Sequence, residues 1–81
     1  MFRKLVKTTD IDIEGTRYVL CYFEQKTIRG GRRYSCEVLF DAADHIIIDD
    51  DSMTSLESKV ARVAPAMLYS RVLAARPGVA A

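Results

Sequence analysis

The sequence predicts an α+β fold: an antiparallel four-stranded β-meander followed by one long, Pro-kinked C-terminal helix packed on one sheet face. Between residues 17 and 41, two runs rich in aromatic and β-branched residues are joined by Gly30-Gly31, which is typical of a hairpin. The run 45–49 is too short for a helix and predicts a fourth strand. A helical pattern then starts near Met53 and ends before Pro77-Gly78.

The two glycines predict the register of the central hairpin. With Gly30-Gly31 as a two-residue turn, Phe23 lies opposite Val38 and Cys21 lies opposite Phe40. Because side chains alternate along a strand, each face can then be assigned. The apolar face carries Val19, Cys21, Phe23, Cys36, Val38 and Phe40. The mixed face carries Tyr18, Leu20, Tyr22 and Leu39. We expect the helix to cover the apolar face.

Residues 2–14 predict an irregular first strand, in which Val6 breaks the alternation of apolar and polar side chains. The first hairpin closes through a loop of three or of two residues. A three-residue loop, 14–16, places Ile11 opposite Val19 on the apolar face, whereas a two-residue loop places it on the mixed face. We favour the three-residue loop because it keeps the apolar residues together.

The helix is predicted to run from Met53 to about Arg76, within a single domain of residues 1–76 that is followed by a disordered tail, 77–81. Pro65 falls inside it and is expected to kink it, because proline removes one backbone hydrogen bond and clashes with the preceding turn. The side expected to pack on the sheet carries Leu56, Val60, Val63, Ala64, Met67 and Ala74.

Two apolar regions exceed what a single helix–sheet contact covers, and they predict a partner interface. The first, on the helix, comprises Leu68, Val72 and Leu73. The second, on the mixed sheet face, comprises Tyr18, Leu20, Tyr22 and Leu39. A chain of 81 residues buries only about 60–65% of its unfolded surface, so association would add stability. We therefore expect a protein-interaction or assembly module, with a second copy or another protein as the partner.

Charge is segregated along the chain although the net charge is only +1. Residues 1–40 carry eight basic and five acidic side chains, residues 41–58 carry six acidic ones, and residues 59–81 carry four basic ones. The acidic block is expected to meet the basic hairpin tip of another copy or of a different partner.

The hairpin tip supports an alternative function, nucleic-acid binding. A two-stranded basic ribbon can grip phosphates or enter a groove, and an aromatic ring beside it can stack on a base. The tip residues assigned to this role are Lys26, Arg29, Arg32, Arg33 and Tyr34.

Catalytic, metal and membrane signatures are not visible in the sequence. His45 has no legible nucleophile beside it, Asp49-Asp50-Asp51 lacks the spacing of a calcium loop, and the cysteines lack zinc-site spacing. We therefore predict no enzyme, no cofactor and no metal. Cys21 and Cys36 are expected to be free, buried thiols. No signal peptide or membrane span is evident, which predicts a cytoplasmic protein.

The predicted order of elements resembles that of known small folds. Four antiparallel strands and a kinked helix, over residues 5–76, resemble the strand-strand-strand-strand-helix unit of single-strand-binding transcriptional cofactors of the Whirly type. Less closely, they resemble small sheet-plus-helix antitoxins of the HicB type. The first resemblance implies binding of single strands, and both are likenesses of topology.

Overall fold

A computed structural model describes residues 3–75 and contains one sheet and one helix. The elements are β1 (Arg3–Ile13), β2 (Thr16–Lys26), β3 (Arg32–Asp41), β4 (Asp44–Asp50) and α1 (Met53–Ala75). The strands pair antiparallel in the order β1-β2-β3-β4, and α1 packs across one face against β1, β3 and β4. The predicted α+β meander with a C-terminal helix is confirmed. Arg76 and the predicted tail, 77–81, lie outside the described residues.

The core fills the space between α1 and one face of the sheet. The sheet contributes Tyr18, Leu20, Tyr22, Cys36, Val38, Ile46 and Ile48. The helix contributes Leu56, Val60, Ala64 and Leu68, which are spaced four residues apart and therefore form one stripe. The prediction was wrong for Ala74, which is exposed. Leu68, which we placed on a second contact surface, continues the buried stripe and is 0% exposed.

The predicted register between β2 and β3 was wrong. Leu20 pairs with Val38 and Tyr22 with Cys36, so Phe23 lies opposite Ser35 instead of Val38. Since neighbouring residues of a strand point to opposite faces, this shift inverts β2. The β2 residues that we predicted for the mixed face therefore lie under α1. The β2 residues that we predicted for the apolar face lie on the other side of the sheet.

The first hairpin also differs from the loop that we favoured. Ile13 pairs with Thr16, which leaves a two-residue turn of Glu14 and Gly15. Both turn residues have positive φ, 50° and 85°, as a type I′ turn requires. Ile11 nevertheless packs against the core, because its pairing partner is Tyr18 on the helix-covered face. The irregularity expected in the first strand is a register shift between Leu5 and Lys7.

Pro65 does not interrupt α1, which runs unbroken from residue 53 to residue 75. A proline nitrogen cannot donate to the carbonyl four residues earlier, that of Ala61. Ala61 is exposed, so water can satisfy its carbonyl group. The expected kink stays a prediction.

The start of α1 is fixed by polar contacts around Ser52 and Asp50. The Ser52 hydroxyl accepts a hydrogen bond from the Ser55 amide at 3.1 Å, which is an N-terminal cap. The Asp50 carboxylate accepts hydrogen bonds from the Ser55 hydroxyl at 2.8 Å and from the Asp51 amide at 2.7 Å. These bonds, with the Lys59 ammonium 3.4 Å away, lower the pKa of Asp50 from 3.8 to about 2.

This pKa shift predicts a stability change in acid. Ionised Asp50 favours the folded state above about pH 4, and the contribution is lost as the pH falls toward about 2. When the pH is lowered from 4 to 2, the melting temperature of the Asp50→Asn variant should therefore fall less than that of the wild type. Asp10→Asn is the control, because its exposed carboxylate lies 3.9 Å from Arg17. Equal acid sensitivity of the wild type and Asp50→Asn would contradict the assignment.

Candidate protein interface on the open sheet face

The sheet face that α1 leaves uncovered, called here the open face, is unusually apolar. An antiparallel sheet with one solvated face normally alternates between apolar residues inside and polar residues outside. Here four large apolar side chains on the outside are more than half exposed: Leu5 (53%), Val19 (53%), Leu39 (59%) and Ile47 (57%). Because each strand supplies one of them, the apolar surface extends across the whole sheet.

Strand pairing arranges the open face in rows that run across the sheet. The central row contains Thr8, Cys21, Glu37 and Ile47, one residue from each strand. The row toward the β2–β3 loop contains Leu5, Phe23, Ser35 and Asp49. On the other side of the central row lie the pairs Asp10–Val19 and Leu39–His45. Half of these twelve residues are therefore apolar, and three carboxylates, those of Glu37, Asp49 and Asp10, lie among them.

Arg3 and Glu37 cover the one aromatic ring of the middle rows. The Arg3 guanidinium carbon lies 4.1 Å from the centroid of the Phe23 ring, a cation–π contact. The same guanidinium donates to the Glu37 carboxylate at 2.5 Å. Phe23 is consequently half-buried although no helix covers it. The charged Arg3 side chain thus shields the apolar ring of Phe23. Because Arg3 is paired with Glu37, a partner could cover both side chains together without burying a net charge.

A shallow pocket of about 220 Å³ lies beside this ion pair. Its lining includes Arg3, Gln25, Arg33, Ser35, Ile47 and Asp49. Both arginines are engaged, Arg3 with Glu37 and Arg33 with Asp49 at 3.4 Å. Small-molecule sites usually enclose ~300–1,000 Å³. The pocket is therefore a surface depression within the open face and offers no enclosed ligand site.

Most residues predicted for a partner interface lie inside the molecule. Tyr18, Leu20 and Tyr22 belong to the core under α1, and Leu68 is fully buried. Their assignment to an exposed surface was wrong, because the shifted register turns β2 over and the helix stripe continues through Leu68. Leu39 is exposed on the open face. Val72 and Leu73 are half-buried, and their role in an interface stays a prediction.

The predicted nucleic-acid residues are divided between the two faces. Arg33 belongs to the open face and pairs with Asp49, whereas Arg32 lies on the opposite face and pairs with Glu24 at 3.3 Å. Tyr34 also lies on the helix-covered side, where it packs partly buried against the core. Lys26 ends β2 and Arg29 lies in the loop. The tip thus keeps its positive charge but does not gather these five side chains on one surface.

Ion pairs within the chain account for much of the charge segregation. Asp44 pairs with Arg71 at 2.8 Å, and Glu57 pairs with Lys7 of β1. Asp49 and Asp50 pair with Arg33 and Lys59. Four of the six carboxylates in residues 41–58 therefore have basic partners within the chain. Because these carboxylates are already paired, they give less support to the expectation that the acidic residues 41–58 bind the basic hairpin tip of another copy or of a different partner.

The two cysteines lie on opposite faces of the sheet and are both free. Cys36 is 0% exposed beneath α1, and burial is the main cause that raises its pKa to about 11. Cys21 is half-buried in the central row of the open face. The prediction of two buried thiols on one face was therefore wrong for Cys21.

This difference predicts that the folded chain has one reactive thiol. At pH 8 and low protein concentration, Ellman's reagent should modify Cys21 quickly and Cys36 only after unfolding, since the thiolate is the reactive form. Cys21→Ser should lack the fast phase, and Cys36→Ser should retain it. A fast phase that disappears in Cys36→Ser instead would show that the two faces are assigned wrongly.

The sequence missed most of the open-face residues, although β4 held a signal. Ile46, Ile47 and Ile48 are consecutive, and alternation must point one of them away from the core. An outward isoleucine on such a strand indicates a second apolar surface. In β2 both alternating sets are apolar, so its pattern alone could not show which set faces outward.

Two features of the described chain bear on metal and membrane roles. Among residues 3–75, no three histidine, cysteine, aspartate or glutamate side chains are grouped to hold a metal ion. In the same part of the chain, no helix has both the length and the apolar character to cross a bilayer.

The fold and the open face define a small ββββα domain with one apolar sheet face left uncovered. No family model, curated protein or solved structure gives a significant match to this chain.

Proposed function

We propose that this protein is a small, non-enzymatic protein-interaction or assembly module that works in the cytoplasm and binds its partner through the open face. The observation that carries the proposal is the set of exposed apolar side chains, one per strand and spread over three rows of the open face: Leu5, Val19, Leu39 and Ile47. Apolar surface in water is unfavourable by roughly 25 cal/mol per Å², so a partner that covers these side chains gains binding free energy. The second copy expected from the sequence is one such partner.

The composition of the open face suits a protein surface. Its exposed apolar side chains can exclude water, and its paired charges, Arg3 with Glu37 and Arg33 with Asp49, can supply hydrogen bonds, as such groups do in protein interfaces. Phe23 and the Arg3 side chain that lies over its ring are aromatic and arginine residues, which often contribute a large share of the binding free energy of a protein interface. An extended sheet face also presents little enclosed volume, which agrees better with a macromolecular partner than with a small molecule.

Site-specific photocrosslinking tests this function even while the partner is unidentified. A benzophenone amino acid at Leu39, in cells that express the protein, should yield discrete protein adducts. The matched control is the same group at Ser70, which is exposed on α1. Adducts at position 39 alone support the proposal, and their mass distinguishes a second copy from another protein. Equal yields at both positions, or none at either, would refute it.

The basic tip supports nucleic-acid binding as a second candidate function. Residues 26–33 carry four basic side chains and no acidic one, and Lys4 lies at the same end of the sheet, opposite Glu24. Within the described residues, Lys4, Lys26 and Arg29 form no ion pair. Ile28 at the loop is 93% exposed, so the tip could insert an apolar side chain beside its charges.

Salt-dependent retention on single-stranded DNA tests the tip. A few phosphate contacts should make binding fall steeply between about 50 and 200 mM salt. The Lys26→Ala, Arg29→Ala double variant should lose this retention. Arg17→Ala is the control, since it removes a basic residue at the opposite end of the sheet. Unchanged binding by the double variant would exclude the tip as the site.

A further inference from the structure

We infer that the basic hairpin tip binds a single-stranded nucleic acid on the side of the sheet that carries α1, with one phosphate between the ammonium groups of Lys4 and Lys26. The inference rests on the second candidate function, nucleic-acid binding by the tip. It adds the side of the sheet that is used, the side chains that contact the phosphates, and the form of the nucleic acid.

The unpaired lysines at the tip end of the sheet lie on one side. Glu24 and Lys26 point to the same side of β2 as Tyr22, which lies in the core under α1. Lys4 shares this side because it pairs with Glu24. Neither lysine forms an ion pair within the described residues, and α1 leaves both of them exposed.

The open face offers less free positive charge at the same end of the sheet. Its two arginines there are Arg3, which is paired with Glu37 at 2.5 Å, and Arg33, which is paired with Asp49 at 3.4 Å. An anion that binds on this face has to compete with these carboxylates. The side that carries α1 therefore presents the positive charge that is available to a phosphate.

Strand pairing brings Lys4 and Lys26 close together. Lys4 pairs with Glu24, and Lys26 is the next β2 residue on that side. Diagonal neighbours of this kind lie ~7–8 Å apart, so two long side chains can both reach a phosphate between them. Both lysines also line a depression of about 240 Å³ at the tip end of β1 and β2.

Glu24 is the one carboxylate among the described residues that line this depression. Arg32 donates a hydrogen bond to it at 3.3 Å, so its charge is balanced within the chain. Arg32 is itself exposed, and it pairs with Lys26 across the hairpin. Arg29, in the loop, forms no ion pair within the described residues. The tip therefore keeps a local excess of positive charge, which attracts a chain of phosphodiesters.

Tyr34 favours a single strand over a duplex. It pairs with Glu24 across the hairpin, so its ring lies on the same side as the two lysines. The residue is half-buried against the core, which leaves part of it accessible. A base of a single strand can stack on such a ring while basic side chains hold the backbone. In a duplex the target base is enclosed in the stack and has to be flipped out before it reaches the ring.

The number of phosphate contacts sets the expected salt dependence. Lys4 and Lys26 neutralise one phosphate, and Arg29 with Arg32 can neutralise a second. Each phosphate neutralised on a single strand adds about 0.7 to the slope of log affinity against log salt concentration. Two contacts therefore predict that binding weakens roughly sevenfold between about 50 and 200 mM salt.

Fluorescence anisotropy of a labelled thymidine oligonucleotide with the purified full chain tests the phosphate site. At about 50 mM salt, the Lys4→Gln, Lys26→Gln double variant should bind about tenfold more weakly than the wild type. The matched control is Arg3→Gln, Arg33→Gln, which removes two charges at the same end of the sheet from the open face. The control should bind within about twofold of the wild type. All four side chains are exposed, so both variants should fold.

The outcomes of this experiment separate the inference from the function on which it rests. No binding by the wild type at about 50 mM salt would overturn both the inference and nucleic-acid binding. A wild type that binds, beside a lysine variant of unchanged affinity, would overturn the phosphate site and leave nucleic-acid binding as a function. Equal losses in the lysine variant and in the control would show attraction by net charge alone, which also overturns the site.

Substitutions of Tyr34 test the form of the nucleic acid. Tyr34→Leu should weaken binding of the single strand about fivefold or more, because a stacked base loses its aromatic partner. The salt dependence should stay the same, since no charge is removed. Tyr34→Phe keeps the ring and should bind like the wild type. A duplex of the same length that binds as tightly as the single strand, or a Tyr34→Leu variant of unchanged affinity, would overturn the single-strand assignment.

Discussion

Replacing Leu68 by alanine is expected to lower the free energy of unfolding by about 2–5 kcal/mol. Leu68 is fully buried in the last part of the stripe that α1 presses onto the sheet. Truncation removes buried apolar contacts and leaves a cavity that the surrounding side chains cannot fill completely. Since a domain of this size typically has only a few kcal/mol of net stability, much of the chain should be unfolded. Urea denaturation followed by circular dichroism measures the loss.

Leu39→Ala is the matched control for this substitution. It removes the same atoms from a leucine that is 59% exposed on the open face, so the stability of the monomer should change by no more than about 0.5 kcal/mol. Both variants should be measured at low concentration, where association makes no contribution. If Leu39→Ala were the more destabilising of the two, the core would lie on the other side of the sheet.

The sequence was sufficient to predict which segments form the fold. The alternation in β3 places polar Ser35 and Glu37 opposite apolar Cys36 and Val38, so its core-facing set was correct. The helix start at Met53 followed from the acidic and serine residues before it. These assignments succeeded because each depends on a local pattern with a single solution.

The register of the central hairpin could not be obtained in this way. The pattern of β2 allows either of its faces to meet the helix, and the assumption of a two-residue Gly30-Gly31 turn selected the wrong one. Gly30 and Gly31 end a five-residue loop, 27–31, instead of forming a two-residue turn. Thr27 closes the loop: its amide donates to the Gly31 carbonyl at 2.8 Å, and its hydroxyl accepts from the Gly31 amide at 3.0 Å. Gly30 supplies a φ of 83°. The side chain of Thr27 was the signal for this longer loop.

The error in register also led to wrong assignments of β2 residues in the predicted interface. Once β2 is turned over, Tyr22 moves from a predicted surface into the core, and Phe23 moves from the predicted core to the open face. A site defined by which face the helix covers cannot be predicted before the register is known. Two open-face residues had a signal in the sequence that did not depend on this register: the exposed isoleucine of β4, and Leu39, which the alternation of β3 places opposite Val38.

Adjacent substitutions in β2 provide the most direct test of the register and of the faces that follow from it. Tyr22→Ala should lower the free energy of unfolding by about 3–5 kcal/mol, because its ring is 5% exposed within the core. Phe23→Ala should cost only about 1 kcal/mol, since it removes a half-buried ring and its contact with Arg3. Urea titration of both variants at low concentration measures the two losses.

The order of these two losses decides the register even if one variant fails to fold. An unfolded Tyr22→Ala chain beside a folded Phe23→Ala chain gives the expected order, and Tyr22→Leu restores a measurable transition because it keeps apolar volume in the core. The register with Phe23 opposite Val38 requires the reverse order. Phe23→Ala should in addition weaken the proposed binding of a partner to the open face, whereas a substitution under α1 should act on folding alone. A Phe23→Ala chain that unfolds while Tyr22→Ala stays native would place the helix on the other face and remove the open face as an interface.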